Sequence, residues 1–184
     1  RKLGYSTHSD TKLKVAGKLN YPLKPIAFTR LAKPFNIIWL TAESWRADTL
    51  DEKVMPSTWQ FAANAARYTR NYSGGNGTRQ GVFSMFMGMP GNYWLPFLES
   101  HRGAAIVDVL QKEQYERSFY TSAQFSYQEF DKTIFAQVPR EQLHEIANPT
   151  TGWESDRDNV TNLLSFIDNR DRTRPFFTFM FFES

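Results

Sequence analysis

Short apolar runs alternate with segments of helical periodicity from residue 36 onward, and this alternation limits the possible fold more than any other feature. Residues 36–42 are almost continuously apolar, as expected of a strand that helices cover on both faces. Residues 117–122 and 175–182 are predicted to form further strands. Strands separated by helices pair in parallel through right-handed crossovers. The sequence therefore predicts an α/β fold with a mostly parallel central sheet and helices on both of its faces.

Apolar residues recur at helical intervals between and beside these runs. Pro56 suits the first turn of a helix, and Ser155 is a candidate cap for the last one. Residues 67–72 are a candidate short strand. Helices are predicted, in chain order, at residues 56–67, 78–88, 104–112 and 154–169.

The length and composition exclude several classes of protein. With 184 residues, 41% of them hydrophobic, the chain can bury one sizeable core and is predicted to hold one globular domain. No stretch approaches the ~20 apolar residues of a membrane-spanning helix. The chain contains no cysteine, which excludes disulfides, zinc–thiolate sites and thiol nucleophiles.

The basic residues are concentrated at the beginning of the chain. Residues 1–35 hold eight Lys or Arg against Asp10 alone, a net charge of +7, so the remainder sums to −4 within the total of +3. We interpret residues 1–35 as a basic linker that follows an upstream membrane region, and residues 36–184 as the α/β domain. The linker is either a solvated tail or is attracted to anionic lipid head groups, at ~1 kcal/mol per basic residue. Nucleic acid is not an expected partner, because the basic residues form no recognisable binding motif.

A glycine-rich turn at residues 73–78 brings the hydroxyl of Thr78 to the start of a predicted helix. Glu43 directly follows the first predicted strand. Each residue alone has an ordinary explanation, because Thr78 can cap the helix and Glu43 can cap a turn or pair with Arg46. Functional groups of parallel sheets gather at the carboxyl ends of the strands. Three polar residues occupy such positions here: Glu43, Ser122 and Glu183.

Residues 36–48 and 77–88 together resemble the first two motifs of the alkaline phosphatase and sulfatase superfamily. In that superfamily a strand ends in an acidic metal ligand, and a nucleophile begins a helix that closes in a glycine. The resemblance implies that Glu43 is a metal ligand. It also implies that Thr78, ten residues before Gly88, is the nucleophile and a second ligand. The implied fold is the N-terminal part of an alkaline-phosphatase-like domain.

The identity of the nucleophile separates branches of this superfamily. Sulfatases convert a Cys or Ser to an aldehyde, whereas Thr78 stands here, and Val82 replaces their Arg four residues later. A formylglycine sulfatase is therefore not expected. Glu43 and Thr78 are similar to the lipoteichoic acid synthase and phosphoglycerol transferase branch, which uses one divalent ion. Four segments are closer still to the YejM-like inner-membrane proteins, which are tied to lipopolysaccharide and cardiolipin homeostasis: residues 20–23, 73–78, 81–83 and 86–88.

The resemblance implies one divalent ion, Mn²⁺ or Mg²⁺, held by Glu43 and Thr78 together with ligands outside this chain. A bound cation would stabilise the Thr78 alkoxide. The backbone N–H groups of Arg79 and Gln80 would bind phosphate oxygens at the helix start. This segment alone is expected to bind such an ion weakly or not at all. None of the three histidines matches a ligand position: His8, His101 and His144.

Two functions follow from the resemblance. The first is a divalent-metal-dependent phosphoryl or phosphoglycerol transferase, or phosphoester hydrolase, acting on an anionic lipid or glycan of the cell envelope. The second is an inactive regulatory domain that binds lipopolysaccharide or cardiolipin and contacts the membrane through the basic linker. The presence of both Glu43 and Thr78 favours the first function. The basic linker, and the absence from residues 122–127 of the pocket residues of the synthase branch, favour the second. Either function implies a bacterial inner-membrane protein with this segment in the periplasm.

Overall fold

The computed structural model describes residues 17–29, 33–146 and 151–183. A single sheet runs in the order β1 (Ile37–Ala42), β4 (Phe176–Phe182), β2 (Glu116–Thr121) and β3 (Leu143–Glu145). All three pairings are parallel. The predicted α/β class and parallel sheet are confirmed, and the three predicted strands are present. The short strand β3 was not predicted, because only three residues carry it.

The described part of the chain contains five α-helices: α1 (Pro56–Ala62), α2 (Thr78–Met87), α3 (Trp94–Ser100), α4 (Ala105–Lys112) and α5 (Gly152–Asn169). Helix α2 ends as predicted at Gly88, which adopts the left-handed conformation with φ 64°. Helix α1 is shorter than predicted, and residues 67–72 form no strand. The predicted cap Ser155 is wrong, because Thr151 and Glu154 form a capping box one turn earlier and Ser155 is buried.

An aromatic core fills the space between one face of the sheet and helices α2 to α4. Trp39 of β1 stacks on Phe86 of α2, with 4.7 Å between the ring centroids. Burial of each such ring stabilises the fold by about 2–3 kcal/mol. The most deeply buried phenylalanine rings of this core are Phe83, Phe97, Phe119, Phe125, Phe135, Phe177 and Phe179. Helix α2 is therefore fixed against the sheet through residues 82–87.

Helix α5 packs on the opposite face of the sheet, where Leu163 meets Tyr120 and Met180. Helices thus lie on both faces, as predicted. The prediction that helices cover both faces of β1 is wrong for one face. On the α5 side, Ile38 is 50% and Leu40 is 56% exposed. The physical reason is position: β1 is the edge strand next to β4, and α5 lies over β2 and β4.

Part of the predicted basic linker packs on the folded body. Tyr21 lies edge-on against Phe97, with 4.8 Å between the centroids, and its hydroxyl accepts a hydrogen bond from Ala105 N–H at 3.2 Å. Lys12 and Lys14 lie outside the described residues. In the described ranges, no helix combines the length and the apolar character that crossing a bilayer requires.

Candidate active site

The carboxyl end of β1 delivers Glu43 to the edge of the sheet. The N–H of Glu43 donates to Phe182 O at 2.9 Å, which extends the β1–β4 ladder by one residue. Ser44 then adopts a left-handed conformation, with φ 51°, and turns the chain away from the sheet. Arg46 pairs with Asp48 rather than with Glu43. The side chain of Glu43 is therefore left beside the start of α2.

Glu43 and Thr78 meet although 35 positions separate them in the sequence. The hydroxyl Oγ1 of Thr78 donates to Oε2 of Glu43 at 3.0 Å, and both side chains are partly buried. Ser44 Oγ donates to the other carboxylate oxygen, also at 3.0 Å. Thr78 is the first residue of α2 and Gly77 is its N-cap, so the Thr78 hydroxyl does not cap the helix. The structure thus brings the predicted nucleophile and the predicted metal ligand into contact.

The glycines before Thr78 are explained by close approach to α2. A Cβ added to Gly74 would lie 2.3 Å from Ser84 Cβ, and one added to Gly75 would lie 2.2 Å from Gln80 Cβ. Gly77 is freer, because its added Cβ would meet only the end of the Gln80 side chain, at 3.3 Å. None of the three has a positive φ. The first two glycines therefore hold the turn against the helix.

The side chains of Arg79 and Gln80 point away from the Glu43–Thr78 pair. Arg79 forms an ion pair with Glu129, with Nη2 2.8 Å from Oε2, and its guanidinium lies 5.6 Å from the centroid of the Trp94 ring. Gln80 packs under the glycines of the turn. The predicted role of these two residues concerns only their backbone N–H groups, which belong to the first turn of α2 and have no helical acceptor. That role stays a prediction.

An open groove of about 800 Å³ has the Glu43–Thr78 pair in its wall. Its lining includes residues of α2 between Thr78 and Met85, together with Trp45 and residues 71–77. The groove has both polar and apolar walls. It can accommodate a molecule with a charged group at the pair and an apolar part along the helix.

Comparison with known proteins assigns the family. Residues 35–184 match the family model described as Sulfatase. The chain belongs to the sulfatase family. The match includes both Glu43 and Thr78.

The sulfatase-family chain also resembles longer proteins of bacteria. It is 24% identical over 163 residues to an uncharacterized protein of Haemophilus influenzae, covering 89% of this chain and 27% of that protein. It is 24% identical over 140 residues to the inner membrane protein YejM of Salmonella typhimurium and of Salmonella typhi, covering 75% of this chain and 24% of each relative. The chain therefore spans about a quarter of the length of these relatives.

Sequence reasoning placed Ser122 at the end of a strand but missed the buried polar cluster that it forms with Asp156 and Asn159. Ser122 Oγ donates to Asp156 Oδ1 at 2.5 Å, and Asn159 Nδ2 donates to Ser122 Oγ at 3.2 Å. All three side chains are buried. A signal existed, because Asp156 and Asn159 continue the apolar stripe that Leu163 occupies on α5.

The described residues contain no group of three or more His, Cys, Asp or Glu that could hold a metal ion. Glu43 and Thr78 supply two hard oxygen donors, which suit Mg²⁺ or Mn²⁺ as part of a larger ligand set. His101 is exposed, and His144 stacks on Tyr120 at 4.8 Å between centroids, where burial lowers its pKa below the ordinary 6.5. His8 lies outside the described residues. The donor set therefore fits a divalent ion only in part.

Proposed function

We propose that this domain belongs to a divalent-metal-dependent phosphoryl or phosphoglycerol transferase, or a phosphoester hydrolase, with Thr78 as its nucleophile. The observation that carries the proposal is the 3.0 Å contact between Thr78 Oγ1 and Glu43 Oε2 in the wall of an open groove. Two such groups at the carboxyl edge of a parallel sheet suit attack on a substrate that lies across that edge.

Glu43 and Thr78 would hold the divalent ion, Mg²⁺ or Mn²⁺, with further ligands from outside this chain. When bound, the ion would stabilise negative charge on the nucleophilic oxygen. The orientation of the Glu43 carboxylate suits this role, because the Ser44 hydroxyl binds one of its oxygens and the other oxygen accepts the Thr78 hydroxyl.

The residues of this chain account for the first half of the reaction. Thr78 Oγ1 forms a bond to phosphorus while the bond from phosphorus to the leaving alcohol breaks. The hydroxyl proton of Thr78 is held against Glu43 Oε2, which gives it a path off the oxygen as the bond forms. The backbone N–H groups of Arg79 and Gln80 favour the charged phosphate oxygens. A second alcohol or water then takes the group from Thr78.

The proposed substrate is an anionic lipid or glycan of the bacterial cell envelope. Support comes from the relatives named as inner membrane proteins and from the partly apolar groove that extends from Thr78 along α2 to Met85. We place this domain on the periplasmic side of the inner membrane as part of the same proposal.

The enzyme proposal is tested on the full-length protein with a phosphodiester substrate and Mn²⁺. Thr78→Ala and Glu43→Gln are expected to lower turnover on the order of 10³-fold or more, because each removes a group that acts at the reacting phosphorus. Thr78→Ser keeps the hydroxyl and is expected to retain measurable turnover. Thr78→Ala with wild-type turnover and normal folding would disprove the proposal.

A second candidate function is binding to an anionic membrane surface through the basic linker. The described part of the linker exposes large apolar side chains: Leu23, Ile26, Phe28 and Phe35. It also exposes three lysines: Lys18, Lys24 and Lys33. Apolar side chains beside lysines suit the interface of an anionic bilayer, which attracts each lysine by about 1 kcal/mol.

Membrane binding is tested by hydrogen exchange of the full-length protein in zwitterionic nanodiscs, with and without anionic lipid. We expect anionic lipid to slow exchange near Leu23, and the double substitution Lys18→Glu and Lys24→Glu to remove this protection. High salt should weaken the protection too. Equal exchange in both lipids would leave the linker as a solvated segment.

A further inference from the structure

One peptide unit connects the candidate nucleophile site to the buried polar cluster. The carbonyl of Phe182 accepts the N–H of Glu43 at 2.9 Å, and the N–H of Glu183, on the same peptide, donates to Asp156 Oδ1 at 3.1 Å. We propose that Asp156 is a positioning residue: it fixes this peptide, and through it holds Glu43 at the level where its carboxylate meets Thr78.

The position of Asp156 is itself fixed from two sides. Its Oδ1 also accepts the hydroxyl of Ser122, at the carboxyl end of β2, at 2.5 Å. The amide of Asn159, which is completely buried, donates to the same hydroxyl at 3.2 Å. Leu163, one turn further along α5, packs against the sheet. The carboxylate therefore joins α5, β2 and β4 at the one edge where Glu43 emerges.

The chemistry of a buried carboxylate suits this role. Asp156 is only 6% exposed, so water competes little for its hydrogen bonds. Hydrogen bonds to an ionised acceptor are roughly twice as strong as neutral ones. A peptide whose N–H donates to a carboxylate is also polarised, which strengthens its carbonyl as an acceptor. The Phe182 carbonyl thereby becomes a better acceptor for Glu43 N–H.

The edge position of β1 makes such support necessary. In the described part of the chain, β1 pairs with β4 alone, and its α5-facing side chains Ile38 and Leu40 are exposed. Edge strands with little cover open more readily than central ones. The carboxyl end of β1 therefore depends on β4, and the end of β4 depends on Asp156.

The proposal rests on the proposed function for the meaning of the Glu43–Thr78 pair, but the positional claim is measured without catalysis. The full-length protein is compared with Asp156→Leu by hydrogen exchange followed by mass spectrometry. We expect exchange in peptides spanning residues 41–45 to accelerate about tenfold or more, because Glu43 N–H loses its fixed acceptor. Peptides spanning residues 36–39, at the opposite end of β1, should change by less than about threefold.

Two variants serve as controls. Asp156→Asn keeps an oxygen that can accept both hydrogen bonds but loses the negative charge, so exchange at residues 41–45 should accelerate clearly less than in Asp156→Leu. Asp168→Leu removes an exposed carboxylate from the same helix and should leave both ends of β1 unchanged. A general loss of stability would instead raise exchange evenly along β1.

Unchanged exchange at residues 41–45 in Asp156→Leu, or an equal increase at both ends of β1, would overturn the proposal. If Asp156→Leu does not fold, Ser122→Ala decides, because it removes one of the two described donors to Oδ1: a selective increase at residues 41–45 supports the proposal, and none overturns it. Turnover of a phosphodiester is measured in parallel. Selective exchange changes in a protein whose wild type shows no turnover would disprove the proposed function while leaving the positioning claim intact.

Discussion

Two segments that contribute residues to the groove, α2 and residues 45–72, are built in opposite ways. Helix α2 carries Thr78 at its first residue and buries Val82, Phe83, Phe86 and Met87 in the core. Residues 45–72 contribute a single buried residue, Ala62 of the short helix α1. Five large apolar side chains of this segment are instead exposed: Trp45, Val54, Phe61, Tyr68 and Tyr72.

The difference implies that α2 holds Thr78 in place, whereas residues 45–72 are the part of the groove that can change position. Segments with few buried apolar contacts open at low free energy, whereas a helix packed against the core opens only with the core. The position of Thr78 is therefore set by the core. A substrate that needs more room should displace residues 45–72 rather than α2.

The largest expected effect compares two phenylalanines, one in each of these two segments. Phe83→Ala removes a ring that is 0% exposed and should lower the free energy of unfolding by about 3–5 kcal/mol. Phe61→Ala removes a ring that is 77% exposed and should cost less than about 0.5 kcal/mol. Pulse proteolysis in urea measures both. Similar costs for the two variants would show that residues 45–72 are packed as tightly as α2.

A smaller effect is expected from two glycines of the turn that connects residues 45–72 to α2. Gly74→Ala would place a methyl group 2.3 Å from Ser84 Cβ, so the turn must move away from α2 at a cost of about 1–3 kcal/mol. Gly77→Ala meets only the flexible end of Gln80 and serves as the matched control. The free energy of unfolding, measured in urea, and the rate of phosphodiester turnover should both fall in Gly74→Ala. Both should stay near wild type in Gly77→Ala. Equal losses would mean that the glycines act through backbone freedom instead.

The smallest expected effect is a pH dependence far from the groove. Burial, and next the positive charge of Arg140, hold the pKa of His144 below 6.5. The unfolded chain therefore binds the proton more readily, so the stability that neutral His144 provides is complete above this pH and is lost as the pH falls below it. His144→Phe keeps the stacking on Tyr120 and should lose less stability than wild type between about pH 7.5 and pH 5.5. Parallel pH profiles of urea midpoints would contradict this.

Local patterns predicted the parts of the fold that depend on sequence neighbours. The apolar runs located β1, β2 and β4, and the glycine at position 88 marked the end of α2. The same reasoning missed α3 and β3 and misplaced the cap of α5. The cap failed because Ser155 and Thr151 are both ordinary capping residues, and only the capping box with Glu154 distinguishes them.

The candidate site was predictable for a different reason. Glu43 and Thr78 were paired by resemblance to a family, and their 3.0 Å contact depends on a sheet edge that no local pattern describes. Asp156 was missed because its role comes from the Phe182–Glu183 peptide, and a backbone hydrogen bond leaves no mark on side-chain spacing. Polar residues on an apolar helical stripe are the signal to use for such cases.

The most direct test of Thr78 as the nucleophile is to trap its covalent intermediate. The full-length protein is incubated with a phosphodiester and Mn²⁺, quenched in acid, digested and analysed by mass spectrometry. We predict that the peptide containing Thr78 gains the mass of the retained phosphoryl group, only with metal present, and that Thr78→Ala and Glu43→Gln abolish this gain. Turnover with the modification on another residue, or the same modified peptide in Thr78→Ala, would contradict the assignment.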